Sequence, residues 1–240
     1  MITYNDIKKN EEINTYIRMA DKSLEALGYT EHSFAHVGLV AKRAGDILAA
    51  LGYDERDVEL VKIAGYLHDI GNIVNRKEHS QSGAIIAFRL LDKLGMDAKE
   101  TSMIVSAIGN HDEGTGEGVN QIASALIIAD KTDVRRSRVR NKNNLSFDIH
   151  DAVNYSVINS SLEIDKEKRQ LILNLEIDTE ISAVINYFEI LLPKWGFYTA
   201  LALEARYFIY FGTCFAVTLA LSVAYDKMIA GLIARKKSAA

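Results

Sequence analysis

The chain has 240 residues, a formal net charge of −4 at pH 7, one cysteine and one proline. That length suffices for one sizeable domain with its own core, and the acidic balance argues against a strong, sequence-independent grip on nucleic acid, which needs a basic surface. Cys214 has no second cysteine to pair with, and the polar start, MITYNDIKKNEEIN, lacks the apolar stretch that directs secretion; both fit a reducing compartment, so a cytoplasmic protein is expected.

With Pro193 the only proline, almost no interior position breaks a helix, and the pattern predicts a mostly helical protein. Residues 11–28 read as an opening helix closed near Gly28. Ser33 caps a second helix running to about Leu51, with Gly52 just past its end, and His36 lies in line with Val40 and Ala44. A third helix, from about Asp57, carries Leu60, Ala64 and Leu67 into the doublet His68-Asp69 and stops at Gly71. Ser80 to Leu94 is a fourth. Asp97 to Asn110 is a fifth, in which Ile104, Ala107, Ile108 and His111 share a stripe. After the glycine-rich loop DEGTGEGVN, Gln121 to about Arg138 forms a sixth, with Ile122, Leu126 and Ala129 leading to Asp130. Each of these imidazoles and carboxylates sits at or near the end of an apolar helical face, so the helix ends are expected to meet inside a bundle.

After residue 145 the texture changes. SLEIDKEKRQLILNLEID alternates apolar and polar residues around a charged turn, a hairpin signal, and Thr179 to about Leu192 is helical again. From Leu191 to Ala234 only Lys194, Glu204, Arg206, Asp226 and Lys227 are charged, and Tyr207 to Tyr225 carries no charge. At ~1.5 Å per residue that stretch would span about 28 Å, near the thickness of a bilayer core. Two readings are open: a membrane anchor, or a pair of helices buried against the domain or a second subunit. The second is preferred, because the tyrosine, threonine and glycine positions at its start weaken insertion. Arg235, Lys236 and Lys237 would also put the domain outside the cytosol. Three segments result: a helical metal-binding domain over 1–145, a hairpin with a helix over 146–192, and a hydrophobic helical tail over 193–240.

Five of the six histidines fall between positions 32 and 111. Imidazole and carboxylate hold borderline divalent metals, and burying several without a metal leaves donors and acceptors unpaired. Any one of His36, His79 or His111 alone reads as a core or cap histidine; together with His68-Asp69 and Asp130 they read as a metal centre for one or two ions. Softness does not choose among Mn, Fe, Co, Ni and Zn, and Mg is also admitted. Two ions about 3.5–4 Å apart can hold a bridging hydroxide and clamp the oxygens of a phosphoryl group.

Arg76 and Lys77 follow the doublet closely enough to meet phosphate, and Lys131 and Asp133 flank Asp130. The run RRSRVR offers Arg135, Arg136, Arg138 and Arg140 as bidentate phosphate ligands or as a solvated face. Asp112 and Glu113, beside His111, are candidates for orienting ligands or relaying a proton. His32, one turn before His36, has the i,i+4 relation of a two-histidine metal face, but the register that places Leu51-Gly52 favours His36 as the ligand. His32 is read as a contact to a ligand or to substrate, with a surface residue as the alternative, and His150 as a surface or packing residue.

The segments HVGLV, GYLHDIGN and LIIADKTD resemble those of the HD superfamily of metal-dependent phosphohydrolases, over residues 30 to 140 or so. The resemblance implies an all-α helical bundle, here with a small C-terminal β-hairpin and a hydrophobic helical tail. Its minimal ligand set maps to His36, His68, Asp69 and Asp130. His79 in EHSQSGA and His111 in GNHDE match the two extra histidines of the dinuclear branch, in which the aspartate of the doublet, here Asp69, bridges the metals. The chain departs from cyclic-dinucleotide phosphodiesterases of the superfamily, with GTGEG in place of their Gly-Tyr-Pro signature and Asn72 where lysine is common.

The expected function is hydrolysis of a phosphate ester, of a nucleotide or related small molecule, by metal-bound hydroxide. Asp69, His111 and Lys131 are the catalytic candidates, and Arg76, His32 and Arg135 the substrate-binding ones. The expected partners are the small-molecule ester and further copies of the chain, with no stable nucleic-acid binding and membrane contact only through the tail. A non-catalytic metal- and nucleotide-binding sensor, a di-iron oxygenase of the same superfamily and a membrane-tethered assembly factor are the alternatives.

Overall fold

The computed structural model describes residues 1–112, 116–140, 149–167, 170–187 and 208–213. The helices are α1 (Tyr4–Lys9), α2 (Glu11–Ala26), α3 (Phe34–Leu51), α4 (Glu55–Leu67), α5 (His79–Lys93), α6 (Ala98–Gly109), α7 (Gln121–Thr132) and α8 (Ile149–Ser156). Short 3-10 turns at Ile70–Ile73 and Arg136–Arg138 and the strands β1 (Val157–Asp165), β2 (Gln170–Ile177) and β3 (Phe208–Thr213) complete them.

Helix starts reflect local chemistry. Asn10, Ser33, Asp54, Asp97 and Asn120 each accept a backbone N–H of the following turn through the side chain, satisfying donors that the helix itself leaves orphaned. Gly52, with φ of 85°, closes α3 in the left-handed region as anticipated. Helix α7 is the hub. Every residue from Ile122 to Ala129 is buried, and α7 packs against α3, α4 and α6.

Two glycines let backbones approach where the site is built. A Cβ on Gly65 would lie 2.7 Å from Ala41 Cα, so α3 and α4 can touch only because it is absent. A Cβ on Gly71 would lie 1.9 Å from the carbonyl oxygen of His79, which puts the turn after the doublet directly against the start of α5.

The hairpin is present. β1 and β2 run antiparallel from Val157↔Ile177 to Asp165↔Gln170, with an irregularity between Val157 and Asn159. Leu171, Leu173, Leu175 and Ile177 alternate into the same core as the helices. The helical expectation for the tail is corrected over 208–213. This backbone is a strand, parallel to β2 from Gln170↔Phe208 to Leu175↔Thr213, in keeping with the sheet preference of Phe-Ile-Tyr-Phe. The rest of the stretch weighed as a membrane span, and Cys214, lie outside the described residues. No helix among the described residues is long and apolar enough to cross a membrane.

Other boundaries move as well. The third helix starts at Glu55 and ends at Leu67, before the doublet, and α1 and α8 are additional. The expected sixth helix ends at Thr132, six positions short of Arg138. Tertiary partners end it: Arg43 donates to the Thr132 carbonyl and Arg138 to the Asp133 carbonyl at 2.9 Å, replacing the intrahelical donors. The helix expected from Thr179 is a turn over 179–182 and becomes helical only at 184–187; residues 188–207 lie outside the described ones.

Candidate metal centre

His36 on α3, the His68-Asp69 doublet beyond α4, His79 at the start of α5, His111 just past α6 and Asp130 near the end of α7 converge on one point. His36, His68, Asp69, His79 and His111 are buried, and Asp130 nearly so. Glu78, left-handed with φ of 58°, turns the chain into α5 and so aims His79 inward. Asp69 lies between two groups. Its Oδ2 is 3.0 Å from His68 Nε2 and 3.3 Å from His36 Nε2, and its Oδ1 is 3.4 Å from His79 Nε2. Asp130 Oδ1 approaches His36 Nε2 at 3.3 Å and His68 Nε2 at 3.6 Å. On the far side His79 Nε2 and His111 Nε2 are 3.2 Å apart.

The tautomers are set by the other ring nitrogens. Nδ1 of His68, His79 and His111 lies 2.9, 3.1 and 2.6 Å from the carbonyl oxygens of Gly65, Arg76 and Ile108. A carbonyl only accepts, so in each neutral ring the proton is on Nδ1 and Nε2 carries a lone pair. Nδ1 of His36 meets the Asp133 carboxylate at 2.7 Å, a carboxylate behind a candidate metal-binding histidine. With both rings neutral, as metal ligands must be, the lone pairs of His36 and His68 face each other at 3.3 Å. Asp69 Oδ2, though close to two imidazoles, receives no well-directed hydrogen bond from any described residue. Converging acceptors with no donor between them are costly when buried, and a divalent cation is what such a set of nitrogens and oxygens accommodates. The buried His/Asp groups fit divalent metal binding.

Without a cation the charges redistribute among the side chains. Burial opposes ionisation of Asp69, but His68 and His32 hold its carboxyl well below the usual range. Asp130 is likewise depressed against the pull of burial, by Lys131 and the hydrogen bonds of His36 and His68. Burial lowers His68 while Asp69 and Asp130 raise it further, to about 10. Burial, and then His68 and His79, push His111 down to about 3, and burial also lowers His79.

A cavity of about 290 Å³ opens beside the cluster. Of the candidate substrate residues, Arg76 and His32 line it, with Arg76 Nη1 3.5 Å from His79 Nε2 and its guanidinium over the Tyr29 ring. Lys131 also lines it and donates to Asp130 Oδ2 at 2.7 Å. Arg135 does not line it: its Nε donates to Asp133 Oδ1 at 2.7 Å and its Nη2 to Glu31 Oε2 at 3.2 Å. Arg136 donates to the Tyr155 carbonyl and Arg140 to Asp21; only Arg138 of that run reaches the cavity wall. Arg135, Arg136 and Arg140 thus engage internal partners and clamp the chain after α7. Lys77 lies on a separate surface pocket, and Glu113 is outside the described residues.

His150, read as a surface or packing residue, lines the cavity with Val153 of α8 and Tyr187. No local signal marked them, because their place depends on how the chain folds back after residue 149. Asp133, noted in the sequence only as a flank of Asp130, is the carboxylate behind His36; it lies one position past the end of α7, so helical spacing does not mark it.

Residues 31–137 match the family model of the HD domain. An uncharacterised protein of Methanocaldococcus jannaschii is 30% identical over 57% of this chain and 61% of its own length. Ribonuclease Y of Enterococcus faecalis is 32% identical over 48% of this chain and 20% of its own length, and that of Acetivibrio thermocellus 33% identical over 52% and 22%. The chain therefore spans less than two thirds of each of these relatives.

Proposed function

We propose that this protein is a metal-dependent phosphohydrolase that cleaves a phosphate ester of a nucleotide or related small molecule. The observation that carries this reading is Asp69, whose two oxygens face two different sets of imidazoles. His36, His68, Asp130 and Asp69 Oδ2 would hold one divalent ion; His79, His111 and Asp69 Oδ1 would hold a second. Ions there would supply a water acidic enough to attack at neutral pH and a clamp for phosphoryl oxygens.

The remaining work falls to the chain itself. Arg76, at the cavity edge, offers a planar pair of donors to phosphoryl oxygens that the ions leave exposed. Lys131 holds Asp130 Oδ2, which leaves Oδ1 aimed at the imidazoles, and its charge offsets the negative charge growing on the phosphoryl group. Asp112 lines the cavity beside His111 and is placed to carry a proton. The water oxygen attacks phosphorus in line, the P–O ester bond breaks, and the alcohol leaves with a proton.

The relatives named ribonuclease Y support a second reading, a phosphodiester of RNA as substrate. Cavity size and arginines engaged in internal ion pairs favour the small ester. The test is a panel of phosphomonoesters, small diesters and short RNA, assayed before and after chelation and with Mn restored. Turnover lost with the metal and regained with Mn supports the proposal. Full activity after verified metal removal refutes it, and turnover of RNA alone selects the second reading.

A further inference from the structure

We infer that His32 is a further ligand of the metal centre, a fifth imidazole that closes its cavity side; this rests on the metal-dependent reading above. His32 is not on α3 but in the segment before the Ser33 cap. Its Nδ1 lies 2.7 Å from the Thr30 carbonyl oxygen, the same device that sets the tautomer of His68, His79 and His111. The lone pair of a neutral His32 is therefore on Nε2 as well. Three histidines with this signature already meet at the cluster, beside His36 whose Nδ1 meets a carboxylate instead, and His32 turns its Nε2 the same way.

Position agrees with chemistry. His32 Nε2 is 4.0 Å from Asp69 Oδ2, the buried oxygen that His36 and His68 approach and that receives no directed hydrogen bond. Ligand bonds of about 2.0–2.2 Å put any two ligands of one ion within about 4.4 Å of each other, so a cation on that oxygen is within reach of this nitrogen. Two buried acceptors facing each other need a positive charge or a donor between them.

The segment is also braced. The His32 N–H donates to Asp21 Oδ1 at 2.8 Å, Arg140 pairs with the same carboxylate, and Glu31 N donates to the Arg138 carbonyl at 2.8 Å. The ring packs edge-on against His36, 5.3 Å between centroids. An imidazole needed only for packing would not require the orientation of its outer nitrogen to be set.

The test uses the full chain with Co(II) and Zn(II) as probes. In metal-free wild-type protein labelled with ¹⁵N-histidine, Zn(II) is expected to shift the Nε2 resonances of His32, His36, His68, His79 and His111. Shifts confined to the latter four overturn the inference while leaving the metal-dependent reading intact; no shift at all overturns both. In His32→Ala, Co(II) affinity is expected to fall at least tenfold with altered visible absorption, and added imidazole to restore the spectrum. Affinity within twofold and a superimposable spectrum overturn it. A folded state is verified by circular dichroism, and the wild-type resonance experiment decides should the variant fail to fold.

Discussion

Replacing Asp133 by asparagine isolates the carboxylate behind His36. Asp133 is buried; it sits 2.7 Å from His36 Nδ1 and 2.7 Å from Arg135 Nε, with Arg138 Nε at 3.9 Å. Burial alone would favour the neutral acid, yet His36 and Arg138 keep it strongly ionised. An asparagine is isosteric but has only one acceptor oxygen, so either His36 or Arg135 loses its partner and meets an amide N–H instead. A buried hydrogen bond to a charged group contributes about 1.5–3 kcal/mol. Arg135 keeps Glu31, so the lower half of that range applies to the metal-free fold. At about 2–4 °C per kcal/mol for a chain of this size, the melting temperature should drop by about 3–9 °C. Loss of such an outer partner also typically weakens metal affinity 10–100-fold, because His36 is no longer confined to the Nδ1–H tautomer. Calorimetric metal titration and metal-free melting curves measure the two effects separately. Affinity within twofold of wild type would refute the claim that Asp133 sets the state of His36.

Three more expectations use the same molecule. His79→Ala should lower metal content from two ions to one per chain, read by elemental analysis, because the second group loses one of its two imidazoles; a stoichiometry of one in both wild type and variant would rule out a dinuclear centre. Gly65→Ala places a methyl 2.7 Å from Ala41 Cα and should destabilise the fold by about 1–3 kcal/mol in denaturant titration, whereas a neutral result would mean α3 and α4 can separate freely. Metal loading at pH 7 should release a proton, because metal-free His68 is raised to about 10 and is protonated there, while a ligand must be neutral. Apparent affinity should therefore rise with pH up to about 10. Titrations in buffers of different ionisation enthalpy measure the release, and zero protons would contradict the charge assignment.

Much of the helical scaffold was legible because its determinants are local. Ser33 and Gly52 bracket α3, and the spacing of Ile104, Ala107 and Ile108 led to His111. The failures are long-range. Nothing near Thr132 says that Arg43, 89 positions away, takes its carbonyl and ends α7. The basic run after it read as phosphate ligands or a solvated face because its partners Glu31 and Asp21 lie more than a hundred positions upstream. Strand β3 pairs with β2 in parallel across a long connection, a register that no local pattern encodes.

The amino-acid order by itself determined which side chains are available to the centre, since residue type and helical period decide that every imidazole from His36 to His111 sits on or beside an apolar face. Folding alone decided how those side chains are poised. The carbonyls of Thr30, Gly65, Arg76 and Ile108 set four tautomers, and the Asp133 carboxylate sets a fifth. The Asp69 oxygens part toward different histidines only after separate helices have packed. A lone pair has a direction, and direction in a protein belongs to the packed backbone, not to the order of the chain.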